Sequence, residues 1–190
     1  MELSVIFYMV LLGWVGLTRL VELGISRRHR QDLARRQVGQ RPDPHYCWMV
    51  ALHVGVLVAA AIEVVWLQRP FLAALAVPAA ALFVLATALR WWAIASLGAH
   101  WNVHVMDSTS LGVVTTGPFR WVRHPNYLGV FIEMAALPLI HTAWIMMLLA
   151  VAGNLWVLRS RLRVEEPMLE AHPQYRAAMA GKARFLPGIF

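Results

Sequence analysis

Residues 127–158 read YLGVFIEMAALPLIHTAWIMMLLAVAGNLWVL, 32 positions with a single formally charged side chain, Glu133. A helix needs about 20 apolar residues to cross the hydrocarbon core of a bilayer. This run is too long for one upright span and short for two spans with a turn. Pro138, near its middle, has no N–H to continue a helix. The stretch therefore reads as a tight helical hairpin, with a short helix over 127–140, a turn near Pro138–Thr142 and a second helix over 143–160. One bent helix is the alternative.

Three more apolar runs precede it, at 4–25, 46–67 and 71–96, the last with a kink expected at Pro78. The chain has 190 residues, 59% hydrophobic and 14% charged, and its mean hydropathy is +0.58. One core of this size cannot hide so much apolar surface, which makes lipid the solvent. The expected fold is all-α, a single polytopic domain over 1–190 with about five transmembrane helices. A tail over 161–190 follows, helical around Glu165–Met179, with Pro187-Gly188 ending its order. No cation precedes the first run and basic residues follow it, so it reads as a retained span rather than a signal peptide.

The formal charge is +7, but no polar domain exists to present a basic face, which argues against nucleic acid as a partner. The cations flank apolar runs instead, as attraction to membrane lipid headgroups requires. Six lie between Arg27 and Arg41, two are Arg120 and Arg123, and six lie from Arg159 to Arg184, so fourteen of seventeen share one side. By the positive-inside rule the N-terminus is outside and the C-terminus cytosolic. A lone Cys47 excludes an internal disulfide. His53, His104 and His141 are scattered without ligand spacing, so no metal is expected.

Two polar clusters interrupt the apolar pattern. In the first, Arg120, Arg123 and His124 precede Pro125, whose fixed φ suits the first turn of a helix. Pro125 also turns the His124 backbone away from the helical region. Unpaired N–H groups at that helix start, with Arg123, form an expected anion receptacle. The second cluster is Arg159, Arg161, Arg163, Glu165 and Glu166. Arg159 and Arg161 fit a solvated helix end, whereas a pair of adjacent acids suits ribose hydroxyls, an ammonium or a sulfonium.

The run Gly117-Pro-Phe-Arg-Trp-Val-Arg-His-Pro-Asn-Tyr127, with Ser96-Leu-Gly98 and Trp101 ahead of it and Glu165-Glu166, Leu169, Tyr175 and Phe185-Leu-Pro187 behind, resembles the isoprenylcysteine carboxyl methyltransferase family. The resemblance covers roughly residues 85–187. It implies an integral membrane enzyme using S-adenosylmethionine, with a cytosolic cofactor site built by the C-terminal half. On the matching positions it implies that His124, Tyr127, Leu128 and Glu165 contact the cofactor. Arg123 and one arginine before the acidic pair, assigned to Arg163, would orient the nucleophile, with Glu165 also catalytic. The family's second tail tyrosine falls on Met179, which receives no role.

Ala88-Leu-Arg-Trp-Trp-Ala93, His100-Trp-Asn-Val103 and Ile132-Glu-Met134 resemble a small bacterial branch of that family. This implies a bacterial inner membrane location and methylation of a lipophilic enol or phenol, such as an alkylpyrone or alkylresorcinol. An acidic enol would arrive ionised; a phenol would need a base, with His124 or a membrane-facing carboxylate as candidates.

Acids inside spans are costly and functional by default. Glu133 lies about two helical turns beyond Pro125, deep enough to line a substrate cavity with Asn154. The alternative is a structural carboxylate paired with Arg90 or hydrogen-bonded to Asn154. Arg19 and Glu22, three apart, are expected to pair, and Glu63 is left without a role. Two other functional classes compete with the methyltransferase. An NADPH-dependent membrane sterol-type reductase shares the Arg-His-Pro-Asn-Tyr signature, although Val130 stands where such enzymes carry an acid. A non-catalytic lipid-binding scaffold is the third class. Sequence assigns no oligomeric state.

Overall fold

A computed structural model describes residues 2–43 and 45–186. Pro187 and Gly188, where the tail was expected to lose order, lie outside the described residues. Among the described residues the chain is all-α, with six α-helices: α1 (Leu3–Arg35), α2 (Tyr46–Trp66), α3 (Ala73–Leu97), α4 (Pro125–Leu139), α5 (Trp144–Glu170) and α6 (Pro173–Met179). Four of them, α1, α2, α3 and α5, are long and apolar enough to cross a membrane. With 15 residues, α4 rises about 22 Å, less than the roughly 30 Å of a hydrocarbon core. It is the short first arm of the hairpin, and the turn to α5 occupies residues 140–143.

Two boundaries move outward from the sequence expectation. α1 runs ten residues past position 25, to Arg35, because the basic stretch after the apolar run carries no proline or helix stop. α5 likewise continues past 160 to Glu170, with Pro167 inside it. Its buried positions are Met146, Ala150, Asn154, Val157 and Arg161, spaced four, four, three and four apart, so they form one stripe. Similar spacing buries Tyr8, Leu12, Val15, Glu22 and Ser26 on α1, and Ala79, Phe83, Ala86, Arg90 and Ala93 on α3.

The main core joins Tyr8, Leu12 and Val15 to Val56, Ala60, Phe83, Met134, Leu137 and Met146. Outside it Val77 and Leu85 are each 67% exposed, an apolar exterior that water would not tolerate over such an area but lipid does. α3 and α4 approach closely at Gly129, where an added Cβ would lie 3.1 Å from the Ala86 carbonyl and 3.2 Å from Arg90 Cβ.

The intramembrane acid Glu63 is explained by the hairpin. Its carboxylate accepts the N–H groups of Ile145 at 3.1 Å and Met146 at 2.7 Å, and Arg69 reaches it at 2.8 Å. Glu63 thus satisfies orphan donors in the first turn of α5 and meets the positive end of its dipole. Thr142, at φ +52, donates its hydroxyl to the Pro70 carbonyl at 2.7 Å, pinning the hairpin turn to the α2–α3 loop.

At the opposite end the long connection after α3 is latched onto α1. Asn102 Nδ2 donates to the Ser26 carbonyl at 3.0 Å, and Val103 N–H donates to the Ser26 hydroxyl at 3.0 Å. Asp107 binds Thr109 at 2.7 Å, Arg41 at 3.1 Å and His172 at 3.1 Å. The 98–124 connection, the basic segment after α1 and the tail therefore close together over the ends of α1, α3 and α5.

Candidate functional site

Beneath that roof lies a cavity of about 620 Å³. Three helices supply the polar groups of its charged end. From the α4 start come His124, Asn126 and Tyr127; from α5 come Asn154, Arg161 and Glu165; Tyr175 enters from α6. α1 and α2 contribute mostly apolar wall, including Leu17, Leu20, Val50 and Val54. Leu17, Leu20 and Val54 are themselves over half exposed, so the cavity wall is continuous with the lipid-facing exterior.

The two clusters separated by the hairpin meet here. The Tyr127 hydroxyl donates to Glu165 Oε2 and accepts from Arg161 Nε at 3.2 Å. Arg161 also donates to the Val103 carbonyl at 2.8 Å and pairs with Asp43 at 3.0 Å. This arginine is 6% exposed and continues the buried stripe of α5 to Glu165, one further step of four.

Arg163 is a correction to the sequence reading: it is exposed and does not line the cavity. At 100° per residue, a position two before Glu165 lies nearly on the opposite face of the helix, whereas one four before lies on the same face. Arg161 occupies the place assigned to Arg163. The spacing Asn154, Val157, Arg161, Glu165 carried that signal.

Arg123 lines the cavity, yet its guanidinium is held by Glu170 at 3.1 Å and the Lys182 carbonyl at 3.1 Å. The expected anion receptacle is also partly filled by the chain itself. The N–H of Arg123 donates to the Ala183 carbonyl and that of His124 to the Arg184 carbonyl, both at 2.9 Å. Arg184 in turn forks onto Glu166 at 2.8 and 2.7 Å. Returning tail carbonyls satisfy donors that a short sequence window leaves open.

His124 is 5% exposed, with its Nε2 3.4 Å from Glu166 and without a hydrogen bond among the described residues. Leu128 does not line the cavity. Its amide joins the first turn of α4 by donating to the His124 carbonyl at 3.3 Å. Tyr175 was read only as part of the family pattern. Burial, reinforced by the Glu165 charge, pushes its hydroxyl up to about 12, so it stays a protonated donor at neutral pH.

Glu133 is placed behind the cavity wall rather than on it. It accepts from Arg19 at 2.6 Å, Thr87 at 2.7 Å and Arg90 at 2.9 Å. Glu22 binds Arg19 at 3.1 Å and also Arg90. Two arginines and two glutamates therefore cancel inside the helical bundle, and the structural alternative for Glu133 is the arrangement seen. Arg19, Glu22 and Arg90 face the cavity. Asn154, the second residue assigned to the substrate side, lines it too.

An apolar cavity of several hundred Å³ with a few convergent polar groups suits a small molecule. Gly117 fits the same design: at φ +58, its added Cβ would lie 2.0 Å from Ser96 Oγ, so only glycine lets this turn sit against the end of α3. The arrangement is a largely apolar cavity with a charged end.

Residues 79–171 of the chain match the model of the isoprenylcysteine carboxyl methyltransferase (ICMT) family. Four helices long and apolar enough to cross a membrane, together with this match, fit an integral membrane protein. A relative from Bacillus subtilis (strain 168), described as "Uncharacterized protein YpbQ", is 27% identical over 166 residues, covering 87% of this chain and 98% of the relative.

Proposed function

We propose that the protein transfers a methyl group from S-adenosylmethionine to an oxygen (carboxylate, enol or phenol) of a lipophilic acceptor at the membrane–cytosol boundary. The observation that carries this reading is one cavity joining His124, Tyr127 and Glu165 to the outward-facing Leu17, Leu20 and Val54.

The residues present suit this cofactor. Glu165 offers a carboxylate to a sulfonium or to ribose hydroxyls and Tyr175 a neutral hydroxyl, while the His124 ring lines the same cavity. When bound, the cofactor supplies an electrophilic methyl group. Arg161 holds the Tyr127–Glu165 pair, and the apolar wall excludes water, which strengthens polar interactions at the reacting atoms. Methyl transfer is an in-line displacement, so alignment dominates.

The basic ends of α1 and α5 face the cytosol in this proposal, with the N-terminus outside and α4 as a short fifth crossing. Membrane lipids and the acceptor are its partners, in the inner membrane of a bacterial cell. The test is calorimetry of the detergent-purified protein with S-adenosylmethionine, followed by transfer of radiolabelled methyl into a lipid extract. Saturable binding and a labelled lipid are expected. No binding, or hydride transfer from NADPH instead, overturns the proposal.

A further inference from the structure

His53 lies on α2, within a helix whose sequence otherwise supplies apolar wall, and it lines the cavity. Its Nδ1 is 2.8 Å from the Met49 carbonyl one turn earlier. A carbonyl only accepts, so Nδ1 carries the proton and the neutral ring presents an unprotonated Nε2. Among the described residues nothing hydrogen-bonds that Nε2, and unlike the sealed Nε2 of His124 it keeps open surface. An imidazole fixed in one tautomer by a backbone carbonyl, with its basic nitrogen free in a cavity, has the arrangement of a general base.

Its position fits that task. Met49 places its sulfur 3.2 Å from Arg161 Nη1, and Arg161 holds Tyr127 beside Glu165. His53 thus stands about one helical turn deeper than the charged end, on the side from which a lipophilic acceptor would come. The charged groups around it are Arg19 and Glu22 from α1, Arg90 from α3, Glu133 from α4 and Arg161 from α5. Arg19 and Arg90 engage both oxygens of Glu22 and Oε2 of Glu133, Thr87 engages Glu133 Oε1, and Arg161 is held by Asp43 and Tyr127, which leaves His53 as the free base among them.

We propose that His53 takes the hydroxyl proton of a phenolic acceptor during methyl transfer. The inference rests on the function proposed above and narrows its substrate class to acceptors that arrive protonated. The acceptor O–H bond breaks and its proton passes to Nε2, while an oxygen lone pair forms the new O–CH₃ bond. The methyl–sulfur bond breaks with its electron pair kept by sulfur, so the sulfonium becomes a thioether. The imidazolium then releases its proton to water.

The experiment compares the full-length protein with His53→Gln on two acceptors, pentadecylresorcinol and a hydroxypyrone bearing the same alkyl chain, alongside calorimetry with S-adenosylmethionine. The resorcinol must lose a proton, whereas the acidic pyrone enol arrives ionised. Loss of a general base lowers resorcinol methylation by at least about 100-fold, while pyrone methylation stays within about threefold and cofactor affinity is unchanged. Equal losses on both acceptors, or an unchanged resorcinol rate, overturn the role of His53. So does wild-type protein that methylates the pyrone alone. Wild-type protein that binds no cofactor and methylates neither acceptor overturns the underlying function as well.

Discussion

Arg161 and Glu165, four residues apart on α5, grip the same phenol: Arg161 Nε donates to the Tyr127 hydroxyl at 3.2 Å, and that hydroxyl donates to Glu165. One helical turn on α5 thus fixes the first turn of α4, and the short helix is held at the charged end of the cavity by side chains rather than by its own length.

Arg161→Ala removes the donor to Tyr127, the bond to the Val103 carbonyl and the partner of Asp43. Methyl transfer should fall by at least about tenfold, because a hydrogen bond to a charged group contributes about 1.5–3 kcal/mol. Arg163→Ala, on the exposed face, should stay near wild type. Radiolabelled methyl transfer in the two variants checks the assignment, and the reverse ranking would restore Arg163.

His124→Ala and Glu165→Gln should each weaken S-adenosylmethionine binding by about tenfold or more, the worth of one good hydrogen bond in a low-dielectric site. Calorimetry in detergent reads the affinity. Unchanged binding in both would move the cofactor site elsewhere.

Glu133→Ala leaves Arg19 and Arg90 short of a buried counter-charge. Breaking one member of a buried ion network costs about 3–5 kcal/mol, so the variant should unfold at a clearly lower temperature. Replacing Arg90 and Glu133 together by methionine should recover part of the loss, since no lone charge then remains. Thermal unfolding monitored by circular dichroism separates these outcomes.

Asp107 joins the roof loop to Arg41 and His172. Burial opposes its charge, but the hydrogen bonds from Thr109 and Arg41 and the nearby charges of His172 and Arg41 outweigh burial and hold its carboxyl below the usual aspartate range. A carboxyl lowered on folding stabilises the fold above its ordinary value near 4, and that contribution disappears as pH falls through the lowered one. The protein should therefore lose thermal stability in acid more steeply than Asp107→Asn. Parallel melts across that pH window measure the difference.

Gly129→Val would press a side chain between α4 and the α3 backbone at Ala86. Backbone cannot yield as a flexible side chain can, so overpacking should cost about 1–3 kcal/mol and displace Tyr127 two residues away. Lower thermal stability together with weaker cofactor binding is the expected pair of results.

Much of the fold was legible because apolar runs of span length with few charges have few alternatives to helix in lipid. Pro138 and the length of the 127–158 run located the hairpin. Arg19 and Glu22 could be paired from their spacing, and Glu133 with Arg90 was already one of two readings. The polar boundaries were less legible: the helices α1 and α5 run on past their apolar segments because lipid contact ends there while helix propensity does not.

Sequence alone determined the helical class and the two polar clusters, since these depend on composition and local spacing; the grouping of His124, Tyr127 and Glu165 was what the family resemblance implied. Only the tertiary structure decided that Arg161 and not Arg163 faces them, that Glu63 caps α5, that tail carbonyls occupy the amides of Arg123 and His124, and that His53 joins the cavity. Those outcomes depend on which faces of separate helices meet, and partners tens of residues apart are chosen by packing rather than by their neighbours in the chain.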